Sequence, residues 1–134
     1  MAGWIALERR RLLIRHAVGT LALLLLSGAA AAQEEGQVEF NNHCRTCHSV
    51  DEGDHRLGPS LHNIIGREAG TQEGANYSDA MRSSTVVWDG ETLDRFIENP
   101  DAVVPGNNMK PFSGIADADV RAAIVGYLQA ESGG

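Results

Sequence analysis

Five consecutive residues, Cys44-Arg45-Thr46-Cys47-His48, constrain this chain more than any other stretch of it. Positions three and four apart share one face of a helical turn, so two thiols can meet one flat ligand while the His48 imidazole turns to its centre. This is the attachment pattern of a c-type haem. Cys44 and Cys47 would add to two vinyl groups as thioethers, and His48 would bind the iron as its proximal ligand. Other uses of the pattern are weaker. A redox dithiol belongs with a βαβ unit, a zinc site needs four ligands from a chain that has two cysteines, and a disulfide closing so short a loop adds little stability.

The first 32 residues read as a targeting segment. Arg9-Arg10-Arg11 and Arg15 form a basic region, Ala17 to Leu26 an apolar run, and Ala30-Ala31-Ala32 the small residues before a cleavage point. We expect cleavage after Ala32 and export to the periplasm. The alternative is an uncleaved membrane anchor, because the alanines could lengthen an apolar run that is near half the about 20 residues a bilayer span needs. Residues 33–134 then form one domain of 102 residues. They carry seven basic and 17 acidic residues, a net charge of −10 against −7 for the whole chain. That balance argues against nucleic acid and anionic membrane surfaces as partners. With aromatic residues at 5% of the sequence, a bound haem would make up a substantial part of the core.

Along the domain, Val38 and Phe40 open a segment expected to be a short helix ending near His48. Ser49 to Gly74 is rich in acidic residues and glycine and reads as loop with one possible helical turn near Leu61 to Ile65. Asn76 to Ala80 is a further candidate turn. Asp89 or Gly90 starts a clearer helix over Glu91 to Asn99, stopped by Pro100, and Val103 to Met109 is again loop. Asp117 caps a last helix to about Gln129, with Val120, Ile124, Tyr127 and Leu128 at helical spacing. No segment reads as a strand, so the fold class is all-α, small and loop-rich, wrapped around one haem.

The ligand opposite His48 decides the chemistry. A Met sulfur closes the site and raises the potential, whereas an open position admits O₂ or peroxide. After the leader only Met81 and Met109 are available. Met109 lies in a Pro-Gly loop between two helices; Met81 has core packing as its default use. His43, His55 and His62 read as solvated surface histidines.

These stretches, in this order, resemble a class I cytochrome c of the mitochondrial type and its bacterial periplasmic relatives. The resemblance runs from Gly36 to about Ala130 through Cys44 to His48, Leu57-Gly58-Pro59-Ser60-Leu61-His62, Gly66-Arg67, Tyr77-Ser78-Asp79-Ala80, Trp88, Glu98-Asn99-Pro100 and Pro105-Gly106-Asn107-Asn108-Met109. It implies the cytochrome c fold and places the sulfur ligand on Met109. It also implies that Pro59 accepts from the free ring N–H of His48, that Arg67, Tyr77 and Trp88 satisfy a buried haem propionate, and that Asn107 stands beside that propionate. Phe112 would shield the haem edge, one residue further from Met109 than the family pattern has it. Gly36 and Phe40 would pack the first helix against Ile124 and Tyr127.

The departures bear on partners. Lys110 is the only lysine, Asp101 and Ala102 follow Pro100, and Asn108 precedes Met109, where relatives that dock on mitochondrial complexes carry a lysine ring. Phe96 stands in place of a family tyrosine near the Met. The function implied is a monomeric one-electron carrier, without a small-molecule substrate, between partners such as a quinol–cytochrome c oxidoreductase or periplasmic dehydrogenase and a terminal oxidase or reaction centre. A haem peroxidase or gas-binding sensor, and a membrane-tethered subunit of a dehydrogenase, are the alternatives.

Overall fold

Asp89 and Asp117 each precede a stretch of helical apolar spacing, and in the computed structural model, which describes residues 28–133, both are N-caps. The basic and leucine-rich segments of the expected leader lie outside the described residues. Residues 28–43 are helical and are called α1. The other helices are α2 (Asp79–Arg82), α3 (Gly90–Glu98), α4 (Pro100–Val103) and α5 (Ala118–Glu131). Among the described residues there is no sheet, and no helix is long and apolar enough to cross a membrane.

The capping chemistry explains where each helix starts. At α3 the Asp89 carboxylate accepts from Thr92 N–H and the Thr92 hydroxyl accepts from Asp89 N–H, both at 2.8 Å, a reciprocal capping box. At α5 the Asp117 carboxylate accepts from the Asp119 and Val120 amides. Helix α3 ends before Pro100 as expected, and Pro100 also begins α4, which the sequence reading did not include. Its missing N–H costs nothing at the first helical position, and the Asn99 side chain accepts from Ala102 N–H.

The first helix also differs from expectation. It is already helical at residue 28 and ends at residue 43, before the cysteines. The haem motif instead forms its own turn, in which Cys47 N–H and His48 N–H donate to Cys44 C=O at 3.0 and 2.9 Å.

Helices α1, α3 and α5 pack through Phe40, Leu93, Phe96, Ile97, Ile124, Val125, Tyr127 and Leu128, all buried. Phe40 and Tyr127 bring their rings to 5.3 Å, as expected of the first and last helices. An isolated antiparallel bridge joins Glu68, in the loop before α2, to Val87, between α2 and α3. Its hydrogen bonds run Trp88 N–H to Arg67 C=O at 2.9 Å and Ala69 N–H to Val86 C=O at 2.8 Å, and Gly66 N–H adds a bond to Trp88 C=O at 2.7 Å, so Arg67 and Trp88 are held side by side.

Two anchors fix the segment that follows Met109 against α3. Ile115 N–H donates to Ile97 C=O at 2.9 Å. The buried Arg121 of α5 donates to the carbonyls of Ile115 and Ala116, both at 2.9 Å, while its Nε binds Asp94 at 3.0 Å.

Candidate haem site

The proximal side is built from the Cys44 to His48 turn and the loop that returns beneath it. Gly58 N–H donates to Cys47 C=O at 2.8 Å, and Leu61 N–H donates to Ser49 C=O at 2.7 Å. Pro59 is thereby placed with its carbonyl 2.8 Å from His48 Nδ1. A carbonyl can only accept, so Nδ1 carries the hydrogen and Nε2 keeps its lone pair for a metal. Burial holds the His48 pKa below its ordinary value, against the opposing pull of the Pro59 bond. The ring is therefore neutral, the form that ligates iron.

Both cysteines are half-buried and free of disulfide. Burial, with Cys47 beside it, pushes the Cys44 thiol up to about 12. A redox dithiol depends on the opposite, a thiol lowered well below its ordinary value. Nor does any group of three or more His, Cys, Asp or Glu side chains that could hold a metal ion occur among the described residues, short of the four ligands a structural zinc takes.

On another side, Arg67 is half-buried and its guanidinium donates to Ser60 C=O at 3.0 Å, to His62 C=O at 2.9 Å and to the Gln72 side chain. Burial lowers its pKa, and Tyr77 acts in the opposite direction. Tyr77 is likewise raised by burial with Arg67 opposing. Arg67, Tyr77 and, through the bridge, Trp88 are thus drawn together. Trp88 is buried against Phe96, ring centroids 4.9 Å apart.

The loop carrying Met109 lies between α4 and α5. Met109 is half-buried and packs against the core, as does Phe112. Its backbone N–H donates to Asn107 Oδ1 at 3.0 Å. The buried Asn107 amide also donates to Asp101 at 2.9 Å and to Val104 C=O at 3.0 Å. Gly106 has φ of +86°, and a Cβ there would approach Ala80 of α2 to 3.2 Å, so the loop can sit down on α2 only with glycine at this position. Met81, the rival sulfur, is buried on α2 among core residues.

Two histidines depart from the sequence reading. His55 and His62 are half-buried rather than solvated: His55 Nδ1 accepts from Ser60 N–H at 3.1 Å, and His62 Nδ1 lies 3.2 Å from Val50 C=O. Both brace the loop that carries Pro59. Gln72 took no part in the sequence argument, and Asp101 and Lys110 entered it only as departures from a lysine ring, yet Gln72 partners Arg67 while Asp101 partners both Asn107 and Lys110. Only the opposite charges of Asp101 and Lys110 either side of Met109 could have pointed to any of them.

A neutral imidazole with Nε2 free, two free thiols three positions apart in the adjoining turn, and a braced proximal loop fit a covalently bound haem. Fold and site together define a small helical c-type haem protein. The cytochrome c family model matches residues 33–131. Over 123 residues the chain is 38% identical to cytochrome c2 of Rhodomicrobium vannielii, covering 90% of this chain and 97% of that protein. It is 40% identical over 103 residues to cytochrome c 2.1 of Caenorhabditis elegans, covering 77% and 92%. Against cytochrome c2 of Rhodopila globiformis it is 39% identical over 95 residues, covering 71% and 89%. The chain belongs to the cytochrome c family. It is accordingly an electron-transfer protein rather than an enzyme, and carries one covalent haem c.

Proposed function

We propose that this chain is a periplasmic carrier whose iron is closed by His48 on one side and Met109 on the other. The observation that carries this reading is the His48 to Pro59 hydrogen bond at 2.8 Å, which commits Nδ1 and leaves Nε2 as the ligating atom. Haem c, held by thioethers to Cys44 and Cys47, supplies one-electron exchange at the iron. The protein's residues set the conditions. His48 and Met109 exclude substrate from the iron, Phe112 shields the haem edge, and Arg67, Tyr77 and Trp88 offer donors to a propionate, whereas the Asn107 amide is already committed to Asp101 and Val104 C=O.

Acidic charge points to partners with basic docking faces, such as a quinol–cytochrome c oxidoreductase or periplasmic dehydrogenase as donor and a terminal oxidase or reaction centre as acceptor. The test is the absorption spectrum of the protein matured with covalent haem, as wild type and as Met109→Ala. The oxidised wild type is expected to show the weak near-infrared sulfur-to-iron band, and Met109→Ala to lose it and to bind carbon monoxide when reduced. Survival of the band in Met109→Ala would make Met81 the ligand, and its absence from the wild type would leave the iron open.

A further inference from the structure

We propose that Asp101 is a positioning residue for Met109: its carboxylate clamps the methionine loop from both sides and slows the opening that would let an outside ligand reach the iron. The proposal rests on the axial reading of Met109 given above, and adds to it what holds that residue in place.

The geometry is specific. One carboxylate oxygen accepts from the Asn107 side-chain amide at 2.9 Å, and the other accepts from Lys110 Nζ at 2.6 Å. Asn107 and Lys110 stand two residues before and one residue after Met109. A single side chain therefore ties both flanks of the sulfur-bearing residue to α4. Within the loop, Asn107 passes the restraint on, since its Oδ1 accepts from Met109 N–H at 3.0 Å. Asp101 itself is held by a helix whose first residue, Pro100, is buried and whose end is closed by Val104 N–H to Pro100 C=O at 2.9 Å.

The two arms differ in weight. The Asp101 to Lys110 pair is half-exposed on both sides, and such pairs contribute little by themselves. The Asn107 amide is buried at 5% exposure, so its hydrogen bond to a carboxylate is charge-assisted and partly shielded from water. Loss of the carboxylate leaves that amide with Val104 C=O as its protein acceptor, frees Lys110, and shifts the loop toward open conformations. Opening is what imidazole must await before it can displace a sulfur ligand, so its association rate with the oxidised protein reads the clamp directly.

The experiment compares the haem-loaded wild type with Asp101→Ala, Lys110→Gln, the double variant, Met109→Ala, and Glu91→Gln as a control that makes the same change of charge on α3. Imidazole association is followed by stopped flow, the near-infrared band by denaturant titration, and global unfolding by circular dichroism. Asp101→Ala is expected to bind imidazole about three- to tenfold faster. Its near-infrared band should be lost at lower denaturant than in the wild type, with the unfolding midpoint moving less. The double variant is expected to match Asp101→Ala alone, because both arms end on one carboxylate. An association rate within twofold of the wild type overturns the clamp, as does an equal acceleration in Glu91→Gln or a double variant whose effects simply multiply. If Met109→Ala keeps the band, the axial reading fails and takes the clamp with it. If Met109→Ala loses the band while Asp101→Ala binds imidazole at the wild-type rate, the clamp alone fails.

Discussion

Gly58 marks how closely its loop presses on the His48 imidazole. A Cβ at this position would lie 2.5 Å from His48 Cε1, 3.0 Å from Nδ1 and 3.1 Å from Nε2, and the ring has no room to yield without leaving the Pro59 carbonyl. Gly58→Ala is therefore expected to destabilise the haem-loaded protein by about 1–3 kcal/mol, the usual cost of overpacking, read as a lower denaturant midpoint. Pro59→Ala keeps the carbonyl and should cost less; an equal loss in the two variants would show that the ring is not the point of strain. This division also describes what could be read from the sequence. The turn that gathers Cys44, Cys47 and His48 was legible because residues three and four apart share one face. Pro59 was legible through the family resemblance, in which a metal-bound imidazole needs an acceptor for its other nitrogen. The pressure of Gly58 on the ring, the bracing by His55 and His62, and the Asp101 carboxylate depend on where loops fold back. No periodicity records that.

Two helical glycines have opposite surroundings. Gly36 of α1 is buried where α1 crosses α5, and a Cβ there would meet Ala123 C=O at 2.5 Å and the Tyr127 Cβ at 2.8 Å. Gly126 lies within α5, exposed, and a Cβ there would find nothing within 4 Å. Both substitutions to alanine gain up to about 1 kcal/mol of helix propensity. At Gly126 nothing opposes the gain, so Gly126→Ala should raise the denaturant midpoint. At Gly36 the backbone carbonyl cannot move aside cheaply, and overpacking of about 1–3 kcal/mol reverses the sign. A stabilised Gly36→Ala would mean that α1 and α5 cross less tightly than these distances require. Helices α3 and α5 were legible at this scale because aspartate caps and apolar spacing agree on their starts. Helix α4 was not, because four residues are too few to show a period and Pro100 reads first as a stop. The early end of α1 was hidden for a related reason: the haem motif satisfies helical spacing while forming a turn of its own.

Charge belongs to the whole molecule. Residues 33–134 carry seven basic and 17 acidic residues, and the one lysine is already paired with Asp101 at 2.6 Å. Arg56, Arg82 and Arg95 are similarly engaged by Asp54, Asp79 and Glu91. Cationic side chains are thus largely spoken for, while acidic residues such as Glu52, Glu73 and Asp119 remain exposed. A field of net negative sign accelerates encounter with cations by up to about 10–10³-fold at low salt and retards anions, and screening over about 8 Å at physiological ionic strength removes most of both effects. Electron exchange with hexaammineruthenium should therefore slow as salt is raised from about 10 to 200 mM, and exchange with ferricyanide should quicken. Electrons would leave a bound haem at whatever edge it exposes, so the two small reagents test the sign of the charge around that edge rather than the total. If ferricyanide slows with salt while the cation quickens, the edge is basic in spite of the net charge, and partners with acidic docking faces would fit it instead.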